Sequence, residues 1–105
     1  MNLRLLSVAY NDLNEDFVES VRYEFSELIC LNVAGNKISD LRRFVGEVNN
    51  MNSLRILTAY DNPISLLKIY YQYITENVEL RVFDGEKYVK PEPPKKTPPP
   101  KVEIK

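Results

Sequence analysis

The sequence predicts an α/β architecture built by stacking one short unit, and three observations predict it. The stretches Leu3–Leu13, Leu28–Ile38 and Leu54–Ile64 share one eleven-residue pattern, L-x-x-L-x-Φ-x-x-N-x-Φ, where Φ is apolar. Their first leucines lie 25 and 26 residues apart, and so do Asn11, Asn36 and Asn62. Between the copies, apolar residues recur at three- and four-residue spacing, the mark of an amphipathic helix. A repeat of this period means that each unit is one supersecondary element whose apolar face is buried only by its neighbours.

Each element follows in order. The apolar alternation inside each copy predicts a short strand, and the asparagine falls where that strand must turn. Its side chain can bond backbone groups that the turn leaves unpaired, so Asn11, Asn36 and Asn62 read as a structural ladder. After the first copy, Leu13, Phe17, Val21 and Phe25 form a helical stripe. After the second, Ser39 is placed as an N-cap with Asp40 favourable at the helix dipole, and Leu41, Phe44, Val45 and Val48 form the stripe. After the third, Ser65 is placed to cap a helix running to about Glu76, with Leu66, Ile69, Tyr70, Tyr73 and Ile74 as its apolar face. A fourth, degenerate copy begins 26 residues on, at Leu80-Arg81-Val82-Phe83-Asp84-Gly85.

The composition bounds the chemistry. The 105 residues make one small domain at most. The single cysteine, Cys30, allows no internal disulfide, which fits a reducing, cytoplasmic setting. Cys30 itself reads as a small apolar residue. No apolar run approaches the roughly 20 residues of a membrane span, and the first residues do not read as a secretory signal. The absence of histidine removes the commonest general base and zinc ligand. No nucleophile–base pair, phosphate loop or metal cluster stands out, so the reading is not an enzyme, with no cofactor, metal or small-molecule substrate.

Residues 1–85 carry 8 basic against 12 acidic side chains, net −4, and residues 86–105 carry 6 against 3, net +3. The body has no basic stripe of the kind nucleic acid needs, which disfavours an RNA-bound scaffold. The domain reading is 1–89 for the repeat body and 90–105 for a tail. The tail holds six of the seven prolines, which forbids helix and predicts an extended polyproline-II segment. It reads either as a plain linker or as a docking segment, and Val102-Glu103-Ile104 could add a strand to a foreign sheet.

The three aligned copies resemble the leucine-rich-repeat family, in its intracellular subclass of short repeats, over about residues 3–89. The resemblance implies a right-handed solenoid of about three to four repeats, with one strand per repeat on the concave side. Tyr70-Tyr71-Gln72-Tyr73-Ile74 followed by Leu80 to Gly85 is similar to the cap after the last repeat of that subclass. Here Gln72 and Phe83 stand where arginine and leucine are usual, and the usual proline near Val78 is missing. At the other end a copy begins at Leu3 with no cap before it. The chain is then part of a longer protein, or a partner covers that edge, or the edge tolerates exposure.

The resemblance also implies binding through the concave face. One column there is Leu5, Cys30, Ile56 and Val82, apolar throughout; a second is Ser7, Asn32, Thr58 and Asp84; a third is Ala9, Ala34 and Tyr60. Contiguous exposed apolar surface marks an interaction site, and Tyr10 and Tyr60 at the rim suit anchors. The set expected to touch a partner is Leu5, Ser7, Tyr10, Cys30, Asn32, Ile56, Thr58, Tyr60, Val82 and Asp84. Arg4, Arg55 and Arg81 share the second position and form either a solvated edge or a strip for an acidic partner such as a tubulin tail. Asn62-Pro63-Ile64, the tyrosine-rich helix and the Asp84-Gly85 cap look like those of ciliary members of the class. That resemblance implies an adaptor in a cytoskeletal assembly, namely the axoneme with dynein or tubulin as partner. The alternative is a regulatory subunit or cofactor of a phosphatase or chaperone complex.

Overall fold

The protein is described by a computed structural model over residues 3–87. The tail 90–105 and the last residues of the 1–89 body lie outside the described residues. Three strands, β1 (Leu5–Ser7), β2 (Cys30–Asn32) and β3 (Ile56–Thr58), alternate with helices α1 (Glu15–Glu24) and α2 (Leu41–Asn49). A 3-10 turn at Pro63–Leu66, helix α3 (Tyr70–Asn77), β4 (Val82–Phe83) and β5 (Glu86–Lys87) complete the order.

The sheet runs β1-β2-β3-β4-β5 in sequence order. The first four strands are parallel, with Leu6 opposite Leu31, Leu31 opposite Leu57 and Leu57 opposite Phe83. Parallel neighbours need a crossover between them, and α1, α2 and the 3-10 turn with α3 supply the three. The inward strand residues Leu31, Leu57 and Phe83 share one core with Val18 and Val21 of α1, Phe44 and Val48 of α2, and Tyr70 and Ile74 of α3. The opposite sheet face is turned away from the helices.

The asparagine ladder is present. Asn36 Nδ2 donates to the carbonyls of Val33 at 2.9 Å and Ala34 at 3.1 Å in its own turn, and to Val8 at 3.1 Å in the turn before. Its Oδ1 accepts from the backbone N–H of Asn11 and Leu13. Asn62 repeats the arrangement one unit on, donating to Ala59, Tyr60 and Val33 and accepting from Asn36 and Ile38. The residue before each asparagine (Tyr10, Gly35, Asp61) has a left-handed backbone, with φ of 60, 70 and 59°. That kink aims the asparagine back at its own strand.

Three helix expectations change. The cap of α2 is Asp40, whose side chain accepts from Arg43 N–H, one residue beyond Ser39. In α1 the buried stripe is Val18 and Val21, whereas Leu13, Phe17 and Phe25 are half-buried, since among the described residues no element flanks them on the β1 side. The helix expected from Ser65 to Glu76 is two pieces. Ser65 Oγ donates to Asn62 O at 2.6 Å and accepts from Asn62 N–H at 3.3 Å, which closes the 3-10 turn started by Pro63. Leu67 is then extended (φ −77°, ψ 141°) and the chain restarts as α3. The break shifts the apolar stripe to Tyr70 and Ile74, leaving Leu66 86% and Ile69 54% exposed.

The C-terminal end is closed by a hairpin. Asp84 and Gly85 join β4 to the antiparallel β5 with φ of 51 and 83°, the two positive values of a type I′ turn. Asp84 Oδ1 accepts from Ala59 N–H at 2.7 Å, and Oδ2 accepts from the Tyr70 hydroxyl at 2.6 Å. The rings of Tyr70 and Tyr71 pack on Phe83 at 5.4 and 5.8 Å.

Candidate protein-interaction surface

The sheet face away from the helices is assembled by strand register. Pairing sets Leu5, Cys30, Ile56 and Val82 side by side in one column and Ser7, Asn32 and Thr58 in the next. Side chains alternate along a strand, so the leucines between these columns enter the core while both columns face outward. Leu5 is 65% exposed, and Cys30, Ile56 and Val82 are half-buried by one another. The result is an apolar strip across four strands with an uncharged polar row beside it.

Asp84 departs from its expected place. It lies in the hairpin turn, and both its oxygens are used internally, so its first role is to hold the last strand against β3 and α3. The third expected column also changes. Ala34 is buried and Ala9 half-buried, so only Tyr60, 43% exposed, presents a side chain from it.

Tyr10 is 64% exposed and its ring lies over Gly35, where an added methyl group would overlap it. Its hydroxyl donates to Asp61 Oδ2 at 2.8 Å, two repeats away. That hydrogen bond to the Asp61 carboxylate, with partial desolvation, raises the Tyr10 phenol above its ordinary pKa. Tyr10, Gly35 and Asp61 all occupy the position before the asparagine. Aligning that column shows a tyrosine, a residue without a side chain and a carboxylate in succession, the signal for a side chain that reaches over its neighbour. Sequence reasoning took Tyr10 as an anchor and missed the other two.

The arginines of the second position do not act alike. Arg4 lies 3.6 Å from Glu27 on the surface. Arg55 Nη1 donates to the carbonyls of Leu54 and Asn52, and Arg81 is exposed.

Behind the sheet, polar contacts tie the helices together one repeat apart. Glu15 is buried, and its Oε2 accepts from Ser39 N–H at 2.6 Å and Asp40 N–H at 2.5 Å at the start of α2. A carboxylate there meets the positive end of the helix dipole. Arg22 meets Glu47 at 2.7 Å, and Arg43 meets Asp16 at 2.7 Å and Glu19 at 3.0 Å. A cavity of about 180 Å³ opens between the loop after α2 and Val78 and Glu79. It shares no residue with the outer columns. Among the described residues no three His, Cys, Asp or Glu side chains are grouped to hold a metal ion, and no helix is long and apolar enough to cross a membrane.

No protein-family model and no curated protein matches the chain. Several solved structures are similar, among them two of the Mex67 protein. The structure of the Chaetomium Mex67:Mtr2 subunits has 24% sequence identity and a TM-score of 0.72, over 86% of this chain and 59% of that one. The Mex67 LRR domain from Chaetomium thermophilum has 25% identity and a TM-score of 0.71, over 85% of this chain and 60% of that one. The chain thus spans about three fifths of each neighbour's length. At this level of likeness, with the parallel strands and the asparagine ladder, the chain has the fold of a leucine-rich-repeat domain.

Proposed function

We propose that this chain is a non-catalytic protein-interaction module that binds a protein partner on the sheet face turned away from its helices. The observation that carries this reading is the Leu5–Cys30–Ile56–Val82 strip. An uncharged apolar band held rigid by four strands is suited to lose water against a partner. Tyr10 and Tyr60 stand beside it as aromatic anchors. One neighbour comes from a structure of two protein subunits, Mex67 and Mtr2, which is in keeping with partnering.

The finer assignment is an adaptor in a cytoskeletal, axonemal assembly with dynein or tubulin as partner, in the cytoplasm or cilium. It rests on the resemblance of Asn62-Pro63-Ile64, the tyrosine-rich segment and Asp84-Gly85 to ciliary leucine-rich-repeat proteins. Neither neighbour adds to it. The experiment is cross-linking mass spectrometry on complexes from the native source, with wild type beside Leu5→Asp/Ile56→Asp/Tyr60→Ala, each checked for folding by circular dichroism. Axonemal partners cross-linked to the strip and lost from the folded variant support both levels. Equal recovery by the two proteins sinks the sheet-face reading. A phosphatase, chaperone or RNA-processing partner lost from the variant keeps the module and discards the axonemal setting.

A further inference from the structure

Just before its asparagine, the middle copy of the pattern has two small residues where its neighbours have larger ones. Ala34 and Gly35 stand there, against Ala9 and Tyr10 in the first copy and Tyr60 and Asp61 in the third. Backbone bonds carry the strand register into this turn: Tyr10 N–H donates to Ala34 O at 2.7 Å and Gly35 N–H to Tyr60 O at 3.0 Å. The two tyrosines thus flank a low point at the end of the sheet. Tyr10 reaches over Gly35 from the β1 side, its ring filling the space of the missing side chain, and remains 64% exposed. Tyr60 belongs to the β3 side and is 43% exposed.

One carboxylate joins them. Asp61 is exposed, and its Oδ2 accepts from the Tyr10 hydroxyl at 2.8 Å. That bond first, then desolvation, the Asp61 charge and Tyr60 all act on the Tyr10 phenol, so the two phenols and the carboxylate are neighbours. Among the described residues no lysine or arginine is ion-paired with Asp61, and its Oδ1 accepts no hydrogen bond. A carboxylate beside exposed tyrosine rings is complementary to a cation: the carboxylate supplies charge and the ring faces supply cation–π attraction. A lysine or arginine can also lay its aliphatic stem on apolar surface.

The apolar strip ends within reach. Ile56 and Tyr60 are four residues apart, roughly 13 Å along a strand, so one bound segment can touch both. The strip and the polar row beside it carry no charge. Lys87 pairs opposite Val82 at the other margin of the face. A partner's cation is therefore favoured at the Asp61 end and opposed at the β5 end.

We infer that Tyr10, Tyr60 and Asp61 form a recognition site for a lysine or arginine side chain of the protein partner, with an apolar residue of the same segment seated at Ile56. The inference rests on the outer sheet face being the binding surface, and it names the chemistry of what binds there.

The probe is a phage-displayed library of random peptides, selected in parallel on the full chain, on Asp61→Asn and on Leu5→Asp/Ile56→Asp, each checked for folding by circular dichroism. Asparagine tolerates the left-handed backbone of Asp61, and its side-chain oxygen can still accept from Tyr10. That variant loses the charge and keeps the turn. Peptides selected on wild type should pair apolar residues with Lys or Arg, the latter enriched about threefold over the unselected library. Selection on Asp61→Asn should keep the apolar enrichment and lose the basic one. A wild-type-selected peptide should bind Asp61→Asn about tenfold more weakly, with the gap narrowing at high salt. Equal basic enrichment on wild type and Asp61→Asn overturns the cation site. Apolar peptides without basic enrichment overturn it too, while the sheet-face reading stands. Peptides that bind Leu5→Asp/Ile56→Asp as well as wild type overturn the sheet-face reading and the Ile56 contact with it. No enrichment on wild type overturns both.

Discussion

The two ends of the sheet face one problem and meet it differently. At the C-terminal end the last parallel strand is folded over by a two-residue hairpin, and Asp84 ties that hairpin to Ala59 and Tyr70. Leu80 and Phe83, the first and fourth positions of the last copy, are 4 and 0% exposed. At the β1 end the same two positions, Leu3 and Leu6, are half-buried, and among the described residues Asn11 Oδ1 accepts no hydrogen bond. A repeat is thus not a unit of stability by its sequence alone. The same residues are worth more where both flanks are covered, as expected when each unit contacts only its neighbours.

Substitutions break or sharpen that contrast. The largest effect is expected at Asn36, which makes five hydrogen bonds from a buried position. Asn36→Ala strands the N–H groups of Asn11 and Leu13 and takes one donor from each of three carbonyls, and should cost about 2–4 kcal/mol in urea unfolding. Asn11→Ala, at the open rung, should cost under about 1 kcal/mol. Equal costs would dissolve the contrast.

Next comes the closed end. Tyr70→Phe leaves Asp84 Oδ2 without its donor and should cost about 1–2 kcal/mol. Burial, then the Asp84 bond, push the Tyr70 phenol well above its ordinary pKa. The folded state holds that proton more tightly than the unfolded one. Its contribution is therefore complete below the ordinary phenol value of about 10 and is lost as pH rises beyond it. Stability should fall on the alkaline side, and Tyr70→Phe should flatten that fall.

Glu15→Ala removes the buried carboxylate that joins α1 to the start of α2 and should cost about 1–2 kcal/mol, read by the urea midpoint. Gly35→Ala adds a side chain at φ 70° and displaces the Tyr10 ring. It should cost about 1 kcal/mol and return the Tyr10 phenol toward its ordinary pKa in a spectroscopic titration, since the Asp61 bond goes with the ring. Leu66→Ala is the smallest. The side chain is 86% exposed despite its place in the repeat, so the change should stay within about 0.5 kcal/mol.

Much of this was legible in the sequence because the repeat states each position three times. The strand register, the ladder and the α2 stripe of Leu41, Phe44, Val45 and Val48 all follow from one alignment. What escaped it involves residues that differ between copies. Glu15 reads as a surface residue of a first helical turn, yet it is buried because it reaches the helix one unit away. The Leu66-to-Tyr70 spacing fits a helix, yet Ser65 bonds Asn62 and the chain breaks at Leu67. Asp84 falls in the second column by counting, but the Asp-Gly turn takes it out of the strand. Of the expected contact residues, the structure lines up Leu5, Cys30, Ile56 and Val82 and, beside them, Ser7, Asn32 and Thr58, with Tyr10 and Tyr60 at the margin.

The most direct measurement is residue-resolved amide hydrogen exchange on the full chain. If flanking sets stability, Asn36 and Ile38 N–H, held by Asn62, should exchange slowest. Asn11 and Leu13 N–H, held by Asn36, should follow, and Leu5 and Ser7 should exchange fastest. Uniform protection across these six amides, or slow exchange at Leu5 and Ser7 in the isolated chain, would contradict the account.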